Sequence, residues 1–162
     1  MSETPGAPPQ AMIRISSIEI LKTEITAPKT EGVPIRHSYT VNLQNKIDVE
    51  NRLIDVLVSV LIHGDEQKEK YASFETKISF QVEDISPVVQ KLEDSQLRVN
   101  SAFLITLNSI SISTTRGLIF SLMKGTFLDK SFLPIIDPKQ FVPVDAIAQR
   151  EIQAIETKAE TS

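Results

Sequence analysis

The strongest constraint on the fold is an alternation of apolar and polar residues that recurs three times in the first half of the chain, around one nearly continuous apolar stretch. In the clearest case, Phe74, Thr76, Ile78 and Phe80 alternate with polar residues, the period of a β-strand with one buried face. The alternating stretches are Met12–Ile25, Tyr39–Val49 and Tyr71–Glu83, and Leu53–Ile62 is almost continuous Ile, Val and Leu, which is typical of a strand covered on both faces. Because no long crossover separates them, they predict four antiparallel strands in a meander.

The first of these strands carries a shift in its alternation. Ile13 and Ile15 are in one phase and Ile18 and Ile20 in another, with the shift at Ser16–Ser17. An extra residue of this kind is typical of a β-bulge.

A long helix is predicted after the strands. Val99, Phe103, Leu107 and Ile110 recur every three or four residues, and Lys124–Gly125 supplies a stop near Met123. The segment Ile105–Thr115 is rich in β-branched residues and would predict a strand if taken alone. Apolar positions on several faces of the helix indicate burial on several sides and therefore an oligomer.

The last part of the chain combines an apolar loop with a second helix. Thr126–Val144 is rich in Phe, Leu and Ile but is interrupted by prolines that prevent a regular helix. Asp145 is a suitable cap for a C-terminal helix running to about Lys158. The predicted fold is therefore α+β, with one domain over residues 11–157, a disordered N-terminal tail at 1–10 and a C-terminal tail at 158–162.

Composition argues against most enzymes and against nucleic-acid binding. The 162 residues carry 17 Lys+Arg against 21 Asp+Glu, a net charge of -4, and no cysteine. No clustered basic residues are available to neutralise phosphates, and no nucleotide, metal or nucleophile motif is present. We expect no catalytic residue, metal or cofactor. We also expect a cytoplasmic protein without membrane insertion, because Met1–Gln10 lacks the features of a signal peptide and no stretch matches a membrane span.

Several motifs resemble those of the SecB protein-export chaperones. The most specific is the stretch from Thr115 to about Pro138, which contains an arginine, the segment Ser121–Phe127 and the Leu133–Pro134–Ile135 run. Ala27–Pro28 and Phe74–Glu75 are also similar. The resemblance extends from about Ile13 to Ile155.

The resemblance implies a non-enzymatic, ATP-independent holdase that assembles as a homotetramer, a dimer of dimers. Proteins of this family hold unfolded polypeptides in apolar grooves, and they serve protein export or guard antitoxins. On this basis and on the apolar loop, the candidate client-binding residues are Phe120, Phe127, Leu128, Phe132, Leu133, Ile135 and Phe141, with Tyr39, Val41, Phe103 and Leu107 beneath them.

In this family, acidic residues on the outer face of the sheet dock the SecA motor. Glu75 matches one such residue, and Glu24 is a further candidate for partner docking. Lys22 and Thr26 stand where other acidic residues would be expected.

Two other classes of function remain open. A non-catalytic scaffold subunit would bury the same helix and loop permanently against partners. A small-ligand carrier or enzyme would use the curved sheet as a cup, but the sequence shows no converging polar groups.

Overall fold

The computed structural model describes residues 11–29, 36–64, 69–142, 147–149 and 157–159, so the tail predicted at residues 1–10 lies outside the described residues. The strands are β1 (Ile13–Ile25), β2 (His37–Asp48), β3 (Leu53–Gly64), β4 (Lys70–Val82), β5 (Val89–Lys91), β6 (Gln96–Val99), β7 (Ile147–Gln149) and β8 (Thr157–Ala159). One α-helix, α1 (Ser101–Leu122), and two short 3-10 helices, Glu93–Ser95 and Pro138–Phe141, complete the described elements.

The four long strands form one antiparallel sheet, as predicted, but their order differs from a meander. The order is β1-β4-β3-β2-β8, so β1 pairs with β4 instead of β2. This is a Greek-key arrangement. The prediction of a meander was wrong because the segment between β1 and β2 contains Pro28 and Pro34, and is a long connection rather than a tight hairpin turn.

The bulge predicted in β1 is present and keeps its isoleucines on one face. The register shifts between Ile15 and Ser17, so that Ile15 lies opposite Phe80 and Ile18 lies opposite Ile78. Residues directly opposite each other share a face of the sheet. Phe80 and Ile78 are buried on the face that α1 covers, whereas Ile15 and Ile18 remain exposed. The inner face of β1 is therefore an apolar strip that the described part of the chain leaves exposed.

Helix α1 covers the centre of the sheet and includes the strand-like segment Ile105–Thr115. It contacts β3 and β4, and its buried residues are Leu104, Leu107, Asn108, Ser111, Ile112, Thr115 and Ile119. The Asn100 side chain accepts a hydrogen bond from the Phe103 amide at 3.0 Å and caps the helix. Burial against the sheet thus overrides the β-propensity of this segment. By length and composition alone α1 could cross a membrane. The core helix of a soluble protein can have the same length and composition.

The predicted C-terminal helix is wrong where the structure describes the chain. Ile147–Gln149 pairs with β6 and Thr157–Ala159 pairs with β2; the rest of the predicted helix lies outside the described residues. Strand edges present unpaired amide and carbonyl groups. These edges, distant in sequence from the segments that pair with them, supply backbone partners that local spacing does not indicate, and tertiary pairing thus overrides the helical periodicity.

A buried pair of hydroxyls joins helix to sheet, and its loss should be measurable. The Oγ1 atoms of Thr76 in β4 and Thr115 in α1 are 2.7 Å apart. We expect Thr115→Val to lower the free energy of unfolding by about 1–3 kcal/mol, because the Thr76 hydroxyl would be left buried without its partner. Adding Thr76→Val should recover part of that loss. Urea denaturation of both variants measures these changes in the free energy of unfolding, and the exposed Thr106→Val is the control. A double variant less stable than Thr115→Val alone would contradict the prediction.

Candidate functional site

The loop that follows α1 is fixed to the helix by one side chain. Helix α1 ends at Leu122, and Gly125 has a φ of 75°, a conformation that glycine adopts without strain. The chain then turns back, and Arg116 donates hydrogen bonds from Nε to the Leu133 carbonyl at 3.2 Å and from Nη2 to the Pro134 carbonyl at 3.0 Å. These two bonds hold the loop against the last turns of the helix.

Three exposed apolar side chains lie on this helix and loop, and we call them the aromatic surface: Phe120, Phe132 and Ile135. The rings of Phe120 and Phe132 stack with their centroids 5.7 Å apart. Their exposed fractions are 37% and 63%, and that of Ile135 is 94%. The Lys124 Nζ lies 4.5 Å from the centroid of the Phe120 ring and 3.7 Å from the Asp129 carboxylate, so an ion pair borders the surface. An exposed patch of this kind is typical of an interaction site.

Phe127 belongs to a neighbouring contact instead. Its ring packs edge-on against Tyr71 at the start of β4, with centroids 5.7 Å apart. Phe127 is 36% exposed. It therefore ties the loop to the sheet while leaving part of its ring accessible.

Five of the predicted binding residues are instead part of the core. Leu128, Leu133, Phe141, Val41 and Leu107 are each no more than 3% exposed. The loop alternates between inward and outward side chains around Ser131–Leu133, so its apolar composition serves two purposes. The inward residues support the aromatic surface from below and are not accessible to a ligand on this chain alone.

Tyr39 and Phe103 are intermediate cases. Both are partly buried against the core. Burial raises the pKa of the Tyr39 hydroxyl, and a hydrogen bond with the Ser131 side chain partly offsets this effect. Because Ser131 is buried on the inner side of the loop, this hydrogen bond ties the start of β2 to the loop that carries Phe132.

Three residues of the site were not identified from the sequence: Arg116 as the loop anchor, Lys124 and Tyr71. Lys124 follows Phe120 by four residues, a spacing at which helical side chains are neighbours, and this signal was available. Tyr71 meets Phe127 only through the tertiary fold, and no local pattern indicates that contact.

The Arg116 anchor leads to a direct prediction for the loop. Arg116→Lys cannot reproduce two hydrogen bonds from one planar group, so the loop should detach more often from the helix. We expect trypsin to cleave at Lys130 and Lys139 several-fold faster in this variant, as measured by mass spectrometry of the fragments. Arg98→Lys, an exposed change on β6, is the control. Equal cleavage rates for Arg116→Lys and the unchanged protein would contradict the role of the anchor.

The two residues predicted to dock a partner lie on the outer face of the sheet among basic residues. Glu75 is directly opposite Lys22, and Glu24 is opposite Ser73. The Glu24 carboxylate contacts the Lys70 Nζ at 2.6 Å and the Lys22 Nζ at 3.6 Å. The hydrogen bond from Lys70 is the main reason that the pKa of Glu24 is lowered. The charges here are mixed, and they do not make a uniformly acidic face.

The fold is that of the SecB-like chaperones. One similar solved structure is the SecB-like chaperone Rv1957 of Mycobacterium tuberculosis, determined in complex with a ChAD peptide from the Rv1956 HigA1 antitoxin. The TM-score is 0.57 at 14% sequence identity, and the match covers 76% of this chain and 89% of that one. No protein-family model and no curated protein sequence matches the chain.

Proposed function

We propose that this protein is a non-enzymatic, ATP-independent chaperone that holds unfolded polypeptides on its aromatic surface. The observation that carries the proposal is the stacked pair Phe120–Phe132, exposed beside Ile135 on a loop anchored to the core. Apolar side chains of an unfolded client gain roughly 25 cal/mol per Å² of apolar surface removed from water. The SecB-like fold is consistent with this role.

The proposal includes self-association into a homotetramer. Support comes from the apolar strip on β1, where Ile15, Ile18 and Ile20 face the same side as the core without being covered by α1. A tetramer would also present several client sites, and multiple weak contacts would then hold one long chain.

Sedimentation at equilibrium should give four times the chain mass, and Ile18→Asp should reduce this mass. A monomer at micromolar concentration would contradict the assembly.

The clients that we propose are cytoplasmic chains that have not yet folded, either precursors for export or an antitoxin. The similar Rv1957 structure contains an antitoxin peptide, which supports the second class. The lysines around Glu24 and Glu75 weaken the case for docking SecA on this face.

A refolding-arrest assay without nucleotide tests the proposal. A slow-folding protein is diluted from guanidinium chloride with rising amounts of the chaperone. We expect a dose-dependent delay of folding that saturates at a fixed ratio of chains to client. A folding rate unchanged at all ratios, together with unchanged aggregation, would contradict the holdase function.

The fluorescence of an apolar dye distinguishes the scaffold alternative from the chaperone. A permanent subunit interface would be covered in the assembled protein, and an environment-sensitive apolar dye should then show little fluorescence. An accessible aromatic surface should give a strong signal that an unfolded client displaces.

A further inference from the structure

We propose that the outer edge of β2 accepts the extended backbone of a client as an added strand, and that the chain's own β8 occupies part of this edge until a client displaces it. The inference rests on the proposed function, since it specifies how the same client is held. It also assigns a role to the last described segment of the chain, which the aromatic surface alone leaves unexplained.

The edge of β2 lacks most of the features that usually prevent strand addition. Natural edge strands are often short, bulged, charged or interrupted by proline. β2 is 12 residues long and contains no proline. It pairs with β3 from His37 to Asp48 without a register shift. Its acidic and basic residues, Lys46 and Asp48, lie together at one end. By contrast, the other edge strand, β1, has two register shifts.

A segment of the same chain is already paired there. β8 runs antiparallel to β2, with Val41 opposite Ala159 and Leu43 opposite Thr157. The pairing spans three residues, a quarter of β2. Within the described residues, no segment pairs with the outer edge of β2 over Gln44–Asp48. The edge of β2 is therefore able to pair with another backbone segment, and β8 covers only a small part of this edge.

The occupant is suited to replacement. A pairing of only three residues forms few backbone hydrogen bonds, and such short segments open readily. A client strand that pairs along most of β2 would form more of these bonds than β8 does. Recognition through the backbone is independent of sequence, which is what a protein binding many unfolded chains requires.

The edge also lies beside the loop that carries the aromatic surface. Tyr39 of β2 shares a hydrogen bond with Ser131, the residue before Phe132. β8 contacts the 3-10 helix Pro138–Phe141 at the end of the same loop. A client strand on β2 would therefore run beside the loop. The strand would supply the backbone contacts, and neighbouring client side chains would reach Phe120 and Phe132.

A matched pair of variants tests the inference. The triple variant Thr157→Pro, Lys158→Pro, Ala159→Pro lacks every backbone N–H donor of β8. This segment therefore cannot donate a hydrogen bond to β2 in any register. Thr157→Ala with Lys158→Ala changes side chains but keeps all three donors. The probe is fluorescently labelled, reduced and carboxymethylated α-lactalbumin, which stays unfolded, and binding is followed by anisotropy.

We expect the proline variant to bind this probe about threefold to tenfold more tightly, since the apparent affinity of an occluded site is its intrinsic affinity multiplied by the fraction of time that the site is open. The alanine variant should match the unchanged protein. Equal affinity of all three proteins would overturn the role of β8 and leave the chaperone proposal standing. Failure of all three to bind would overturn both.

Hydrogen exchange on the unchanged protein provides a second measurement that needs no variant. Bound probe should slow exchange of the edge-facing amides between Gln44 and Asp48. Slower exchange confined to α1 and its loop, with β2 unchanged, would overturn strand addition.

Discussion

Phe120→Asp combined with Phe132→Asp is expected to weaken binding of an unfolded client by about 10- to 100-fold. The two rings form the centre of the aromatic surface. The variant removes their apolar area and obliges a bound client to desolvate two carboxylates. Anisotropy of a labelled, permanently unfolded protein measures the change. Because both side chains are exposed, the fold should lose only about 1 kcal/mol from the broken stacking contact.

The matched control keeps the rings and changes only their polarity. Phe120→Tyr with Phe132→Tyr should retain most of the affinity, since the aromatic area remains. Ser109→Asp, an exposed position on α1, controls for added negative charge. Full affinity in the double Asp variant would exclude these residues from the client site.

Phe141→Ala is expected to lower the free energy of unfolding by about 3–5 kcal/mol. Phe141 is 2% exposed and belongs to the 3-10 helix Pro138–Phe141, which packs against α1. Removing its ring would leave a cavity under the loop. For a chain of this length the loss corresponds to a fall in Tm of roughly 6–20 °C.

The same variant distinguishes core from binding surface. Below its lowered Tm, Phe141→Ala should bind a client with nearly unchanged affinity. Ile135→Ala provides the opposite case, because this side chain is 94% exposed and its loss should affect binding more than stability. A stable Phe141→Ala protein without client affinity would contradict the assignment of Phe141 to the core.

The elements that could be predicted from the sequence are those with strong local periodicity. The alternation in β3 and β4 and the bulge at Ser16–Ser17 follow from residue spacing alone. The helix over Ile105–Thr115 does not, since its β-branched residues favour a strand. It is helical because Leu104, Leu107, Ile112 and Ile119 then share the face that packs on the sheet.

Strand order and the end of the chain depend on contacts distant in sequence. No local pattern indicates that β1 pairs with β4, because the relevant match is between isoleucines on β1 and the inner face of β4. Likewise, apolar spacing after Asp145 resembles that of a helix. The segments Ile147–Gln149 and Thr157–Ala159 nevertheless pair with strand edges that only the tertiary fold brings near.

For the candidate site too, local sequence was not sufficient, as the apolar loop shows. Its composition predicts a contact surface, but composition does not separate inward from outward side chains. Leu128, Leu133 and Phe141 are buried, whereas Phe132 and Ile135 are exposed. The difference is set by the Arg116 anchor and the turn at Gly125, which fix the path of the loop.

Site-specific photocrosslinking tests the central claim most directly. A benzophenone amino acid placed at position 132, with position 109 as control, is irradiated with a client held unfolded and with the same client in its native state, both without nucleotide. The account predicts crosslinks from position 132 to the unfolded client alone. No crosslink from position 132, or equal crosslinking to the native client, would contradict the claim that the aromatic surface holds unfolded chains.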